Sequence, residues 1–331
     1  LNMMAVNGQV VRAIMLANLT GNSKTSRTLV ANNFVTMSGG TGNCTGFALY
    51  NCEWVDMYYN NVHITSSLKG GACFYIYPQY NNSQLRLVNN VLANTGGGFV
   101  YSVDGTNTGN ISSLRNNAVY HTGTYVGQWN GNDYTTWANW LTGTRKDTAS
   151  VYGDPGFISA TDLHVSNIAI NGKAISYSSV TDDIDGESRN SSTPDIGADE
   201  FFPANVDIGI SRIDSPAAFC AGKYDVKVSF QNYGVDTIKS ATINWSVNST
   251  SQKSYSWTGT LAPGASATGI NIGSYTFSAN TPYSFKIWTS SPNSKSDGKN
   301  INDTLNITRL TGLTGTYSIG SSANSDFKSF N

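Results

Sequence analysis

An apolar–x–Asn–Asn–apolar segment occurs four times in the first half of the chain: Val30-Ala31-Asn32-Asn33-Phe34, Tyr58-Tyr59-Asn60-Asn61-Val62, Leu87-Val88-Asn89-Asn90-Val91 and Leu114-Arg115-Asn116-Asn117-Ala118. The first Asn recurs at spacings of 28, 29 and 27 residues. A second short apolar run lies between these marks, at 46–50, 72–77, 98–101 and 124–127, bounded by Gly or Asn. Helical arrays are excluded, because their repeats need apolar residues at i, i+3, i+4 and i+7. What remains is a β-solenoid, in which successive turns lie in parallel about 4.8 Å apart and each closes the sheet edge of the one before. Asn tolerates the left-handed backbone of a sharp corner, and its amide can donate to one stacked neighbour and accept from another. Asn32, Asn60, Asn89 and Asn116 are therefore expected to stack in one column as a structural ladder.

Only 12% of the residues are charged, about half of the usual roughly 25%. Asn, Ser, Thr and Gly replace the missing charge, which fits a β-rich extracellular protein. The formal net charge of −1 comes without a long run of one sign, so no footprint for nucleic acid appears. No apolar stretch reaches the roughly 20 residues of a membrane span, so no membrane insertion is expected. The start of the chain lacks the basic and apolar regions of a signal peptide, and the chain reads as an internal fragment. Cys44 and Cys73 would flank equivalent turns of neighbouring repeats. They form either a disulfide or two small buried thiols, and the second is the expectation.

From residue 137 the pattern changes. Asp154-Pro155-Gly156-Phe157 and Asp162-Leu163-His164-Val165 are followed by Asp183-Ile184-Asp185-Gly186-Glu187-Ser188-Arg189 and Asp195-Ile196-Gly197-Ala198-Asp199-Glu200. This order resembles the closing segment of right-handed parallel β-helix proteins of the pectate-lyase-like superfamily, which read DP-x-F, D-x-H-L, D-x-D-G-x-x-R and D-I-G-A-x-E. Val165 stands where Leu is usual. Asp182, Asp183 and Asp185 are weak candidates for a Ca²⁺ loop, since carboxylates at alternate positions suit a hard cation, but the remaining ligands of an EF-hand loop are missing. The expectation is no cofactor, with Asp185, Arg189 and Asp195 tying down the last coil through charge-assisted hydrogen bonds.

Beyond residue 202 the apolar and polar residues alternate, as in Tyr224-Asp225-Val226-Lys227-Val228-Ser229-Phe230 and Tyr283-Ser284-Phe285-Lys286-Ile287-Trp288. This is the pattern of antiparallel strands with one face on a core. About seven short strands suit an immunoglobulin-like sandwich. The turns Asn232-Tyr233-Gly234 and Leu261-Ala262-Pro263-Gly264 resemble those of the cell-adhesion-related domain of bacterial surface proteins. The tail, 313–330, is similar to the opening of another β-helix unit in large secreted proteins of Bacteroidota. The expected fold is all-β: a right-handed parallel β-helix over 1–202 with its closing segment at 137–202, a sandwich over 203–309, and the start of a further unit over 310–331.

These resemblances imply a repeat of a long extracellular cell-surface fibre, exported by the type IX route. It would serve attachment, gliding or cell–cell contact, with further copies of the same repeat as partners and no catalytic centre. The alternative is a β-helix that binds or cleaves carbohydrate, in which Tyr58, Tyr59, Tyr75 and Tyr77 would stack on sugar rings. Before residue 150 the acidic residues are Glu53, Asp56, Asp104, Asp133 and Asp147, none of them paired across neighbouring repeats as a glycosidase would need. Arg86 and Arg115 are the candidate bases of a lyase.

Overall fold

The computed structural model describes residues 1–4, 10–38, 43–77, 82–103, 105, 111–217 and 220–312. The tail read as a further β-helix unit, 313–331, lies outside them. The chain divides into two compact units, Leu1–Phe202 and Pro203–Asn331.

The first unit is a parallel β-helix. One sheet stacks four long levels in parallel, Thr28–Ser38, then Val55–Ile64, then Leu85–Val88 with Val91–Asn94, then Ile111–Arg115 with Ala118–His121, and the short strands Asn2–Met4 and Val151–Tyr152 pair in parallel beyond the first and the last. The last two levels are interrupted at their Asn pairs. These four levels make three complete turns. A second parallel sheet runs from Val10–Ala17 through Asn43–Tyr50, Ala72–Ile76 and Phe99–Val103 to Gly127–Trp129. Parallel stacking puts like on like. Val35, Val62, Leu92 and Val119 form one buried column, and Phe47, Phe74 and Tyr101 form another. Phe47 and Phe74 stack at 5.2 Å.

The column of amides is not the expected one. Asn33 pairs with Asn60, which places Tyr59, not Asn60, opposite Asn32. The internal ladder is formed by Asn33, Asn60, Asn90 and Asn117. Each side-chain Nδ2 donates to Oδ1 of the next, at 2.8, 3.0 and 3.1 Å, and Asn117 donates to Asp147 at 3.2 Å. The Oδ1 atoms of Asn90 and Asn117 also accept the backbone N–H of Asn60 and Asn90. Every amide thus donates in the same sense, and the series ends on a carboxylate, which can only accept. Asp147 also receives Trp140 Nε1 at 3.0 Å and Ser150 Oγ at 2.6 Å.

Asn32, Asn89 and Asn116 take the corner instead, with φ of 54°, 61° and 51°, and Tyr59 matches them at 51°. The correction has a physical reason: in the second repeat the Asn pair slides by one residue, so Asn60 lines the interior and Tyr59 bears the left-handed backbone.

The sequence carries no helical stripe near residue 137, yet Trp137–Thr144 is an α-helix. Thr136 caps it by accepting the N–H of Asn139, a role that suits a hydroxyl side chain. Its buried Trp140 stacks on Tyr101 at 5.2 Å and closes the aromatic column. Cys44, Cys52 and Cys73 are buried free thiols, so Cys44 and Cys73 do not form a disulfide.

The second unit is a sandwich of antiparallel sheets. Ile208–Ser215, Gly222–Asn232 and Ser266–Phe277 make one sheet; Ile238–Val247, Thr250–Ser251, Tyr255–Leu261, Pro282–Ser290 and Thr304–Leu310 make the other. Phe230, Trp245, Phe285 and Ile287 fill the space between them. The two turn motifs grip one another. Asn232 Nδ2 donates to Leu261 O, its backbone N–H to Ala265 O, and Gly264 N–H donates back to Asn232 O.

Candidate functional site

Asp56 lies between two arginines, Arg27 and Arg86, and Arg86 also donates to the Tyr58 hydroxyl at 3.1 Å. Tyr58 is buried and stacks on Tyr177 with ring centroids 4.2 Å apart. Tyr59 is fully buried beneath Arg189, whose guanidinium carbon sits 4.1 Å from the ring centroid. Burial pushes the Tyr59 hydroxyl up to about 12. Neither ring can meet a sugar, which corrects half of the stacking set. Tyr75 and Tyr77 stay partly exposed, 4.7 Å apart, and Tyr50 joins them at 5.9 Å from Tyr77.

The segment after residue 152 has little regular structure, so its backbone groups need partners. The corner residues supply many of them. Asn32 Nδ2 donates to Asp182 O and Asn116 Nδ2 to Lys173 O. Asn89 donates to Ile175 O and accepts Ile175 N–H, and the Tyr59 hydroxyl donates to Ile175 O as well. Asn61 does the same for two of the closing motifs, donating to Leu163 O and accepting the N–H of Ala198. The repeat's Asn pair thus has two duties, an internal ladder and an external docking edge.

Arg189 is buried and donates to Asn32 Oδ1, Gly197 O, Ala198 O and, at 3.4 Å, Glu200. Asp195 accepts the N–H groups of Gly172 and Phe201. Burial pushes its carboxyl up to about 7. These two residues anchor the closing segment. Asp185 ties the segment in another way: although exposed, it pairs with His164 Nε2 at 2.7 Å and so links two of the closing motifs.

The acidic trio Asp182, Asp183 and Asp185 does not converge on one point. A tight turn wraps around Asp183, whose Oδ1 accepts the N–H groups of Asp185 and Glu187 and whose Oδ2 accepts that of Glu200. Asp182 accepts from Ser188. Asp185 instead joins a different group. Its Oδ2 lies 2.7 Å from His164 Nε2, while Asp162 holds His164 Nδ1. Asp199, 6% exposed, accepts Val165 N–H through Oδ2. One donor atom each from His164, Asp185 and Asp199 lies within 4.8 Å of the others. Partial burial opposes charge on the imidazole, yet the hydrogen bonds it donates to Asp162 and Asp185 outweigh that and raise His164 to about 9. Sequence spacing carries no signal for this group, because Asp199 occupies the variable slot of its motif.

Of the acidic residues weighed for catalysis, Asp147 ends the ladder, Asp133 pairs with Lys69, and Asp104 lies outside the described residues. Arg115 donates to its neighbour Asn116.

No family model and no curated protein matches the chain. Among solved structures it is similar to the CARDB domain of the PF1109 protein from Pyrococcus furiosus, solved in complex with di-metal ions, at 14% identity and a TM-score of 0.28. That likeness covers 34% of this chain and 95% of the other. The sandwich architecture rests on the strand pairing above.

Proposed function

We propose that the chain is a structural and adhesive repeat of a long extracellular cell-surface fibre. The observation that carries this reading is the unbroken ladder from Asn33 to Asp147. A row of satisfied, mutually polarising hydrogen bonds beside close-packed columns stiffens a solenoid along its axis. A surface of amides and hydroxyls, poor in charge, suits a shaft that meets other surfaces without binding counter-ions strongly. The resemblance of 313–330 to another β-helix unit supports further copies as partners in the same chain.

Pulling single molecules apart by force spectroscopy tests this reading. The β-helix unit is expected to hold to higher force than the sandwich, and Asn90→Ala to lower its force selectively. Turnover of pectin, alginate or another polyuronate by the purified chain, lost in Asp56→Asn, would overturn it.

A second reading, carbohydrate binding on the solenoid flank, is favoured by the cluster of Tyr50, Tyr75 and Tyr77. These rings are partly exposed, and aromatic side chains with a polar hydroxyl suit contact with sugars. A glycan array comparing the chain with Tyr75→Ala separates it from the inert shaft: signal lost in the variant supports a binder.

A further inference from the structure

Three motifs of the closing segment, far apart in sequence, meet at one point: Asp162 and His164 from the first, Asp185 from the second, Asp199 from the third. We propose that His164 Nε2, Asp185 and Asp199 form a site for a borderline divalent cation of the Zn²⁺ class. Such a site is independent of the adhesive reading, since a shaft, a binder or an enzyme could each carry it.

An imidazole nitrogen is joined here by carboxylate oxygens from two other motifs, with Asp199 buried, His164 partly exposed and Asp185 exposed. The donor atoms of the three residues already lie within 4.8 Å of one another. Ligands about 2.0 to 2.2 Å from a tetrahedral Zn²⁺ lie roughly 3.3 to 3.5 Å apart, so small side-chain shifts suffice. The imidazole has a carboxylate, Asp162, on Nδ1 and its other nitrogen turned to the site, which is how metal-bound imidazoles are oriented. An edge-on contact with Phe34, with ring centroids 4.9 Å apart and planes at 89°, fixes the ring further. Asp199 is held by burial and by the Val165 N–H.

Charge points the same way. Three carboxylates, Asp162, Asp185 and Asp199, surround a single imidazole, and Asp183 lies close enough to add to the field at Asp199. One proton on His164 cannot balance them, whereas a dication can. The nitrogen donor decides the class. Ca²⁺ and Mg²⁺ prefer oxygen alone, while one imidazole with two carboxylates, leaving a fourth position to water, suits Zn²⁺, Co²⁺ or Ni²⁺. Bound there, the ion would join the three motifs that close the solenoid.

The test titrates the metal-free chain with Zn²⁺ by calorimetry and with Co²⁺ by visible absorption. One ion per chain is expected, with the strong visible bands of four-coordinate Co²⁺ and an upward shift in the melting of the β-helix unit that EDTA reverses. Asp199→Asn and His164→Gln are expected to abolish the bands. Asp162→Asn is expected to weaken binding by about 10- to 100-fold, as loss of an orienting carboxylate does. Asp182→Asn, outside the group, should leave binding unchanged. Melting curves in EDTA show whether each variant still folds. Absence of binding by the wild-type chain at millimolar Zn²⁺, equal binding of Ca²⁺, or binding that survives Asp199→Asn and His164→Gln in folded protein overturns the proposal.

Discussion

The β-helix and the sandwich bury similar aliphatic and aromatic side chains but treat polar groups differently. In the β-helix four amides and a carboxylate run through the interior, each bonded to its copy one turn away. In the sandwich the core from Val206 to Ile287 is an apolar cluster, and its buried Asn232 serves two turns instead of a stack. A repeat lets a polar side chain meet the same residue at every turn, so the ladder is fully satisfied and specifies register. A sandwich has no such neighbour, and its register comes from alternation and from its turns.

Breaking the ladder is the largest expected effect. Asn90→Ala takes the acceptor from the Asn60 N–H and from Asn60 Nδ2, and the side-chain donor from the Met57 carbonyl. At about 1–3 kcal/mol for each orphaned buried group, the β-helix should lose about 5 kcal/mol or more. Calorimetry should show its transition fall while that of the sandwich stays. An Asn90→Leu variant as stable as wild type would show that the ladder specifies register without adding stability.

The matching change in the sandwich is Phe230→Ala, which removes a fully buried ring. It should cost about 4 kcal/mol and lower only the sandwich transition. A shared drop in both transitions would mean that the two units do not unfold independently.

Proton binding sharpens the contrast. Burial, with Asp297 and Asp207 nearby, raises Asp303 in the sandwich to about 6, while burial raises Asp195 in the β-helix to about 7. Each folded value lies above the ordinary carboxylate value near about 3.9. Folding therefore binds protons, and the stability each group contributes is present below about pH 4 and lost as pH rises through its folded value. The sandwich should lose its share through about pH 6 and the β-helix through about pH 7. Asp303→Asn should flatten the first slope and leave the second.

How much of this was legible depended on local rules. The Asn pairs and their period disclosed the solenoid, because stacked turns impose a repeat on the sequence. The ladder's true members were hidden by the slip at Tyr59, since an Asn pair reads the same whichever Asn faces inward. Tyr59 tolerates the left-handed corner because its buried ring packs under Arg189 and its hydroxyl reaches Ile175. The helix at Trp137–Thr144 was too short to display a stripe. Tyr58 and Tyr59 looked available for sugars because nothing in their repeat records that 174–177 packs over them. The group around His164 was illegible for a similar reason: irregular loops, not a strand or helix period, bring residues 162, 164, 185 and 199 together.

The smallest effect tests the division of labour inside the motif itself. Asn116 and Asn117 are identical neighbours, yet Asn116 sits at φ 51° and makes one bond across to Lys173 O besides a local one from the exposed Arg115, while Asn117 is fully buried in the ladder. Glycine accepts the left-handed corner without strain, so Asn116→Gly should cost only about 1 kcal/mol, the worth of one partly exposed hydrogen bond. Asn116→Ala should cost about 1 kcal/mol more, because Cβ opposes that backbone. Asn117→Gly, by contrast, removes a side chain that donates to Leu87 O and Asp147 and accepts from Asn90, and should cost several times as much. Urea unfolding of the three variants measures the differences. If Asn116→Gly and Asn117→Gly proved equally costly, the corner Asn would be as structural as the ladder Asn, and the two duties assigned to the pair would collapse into one.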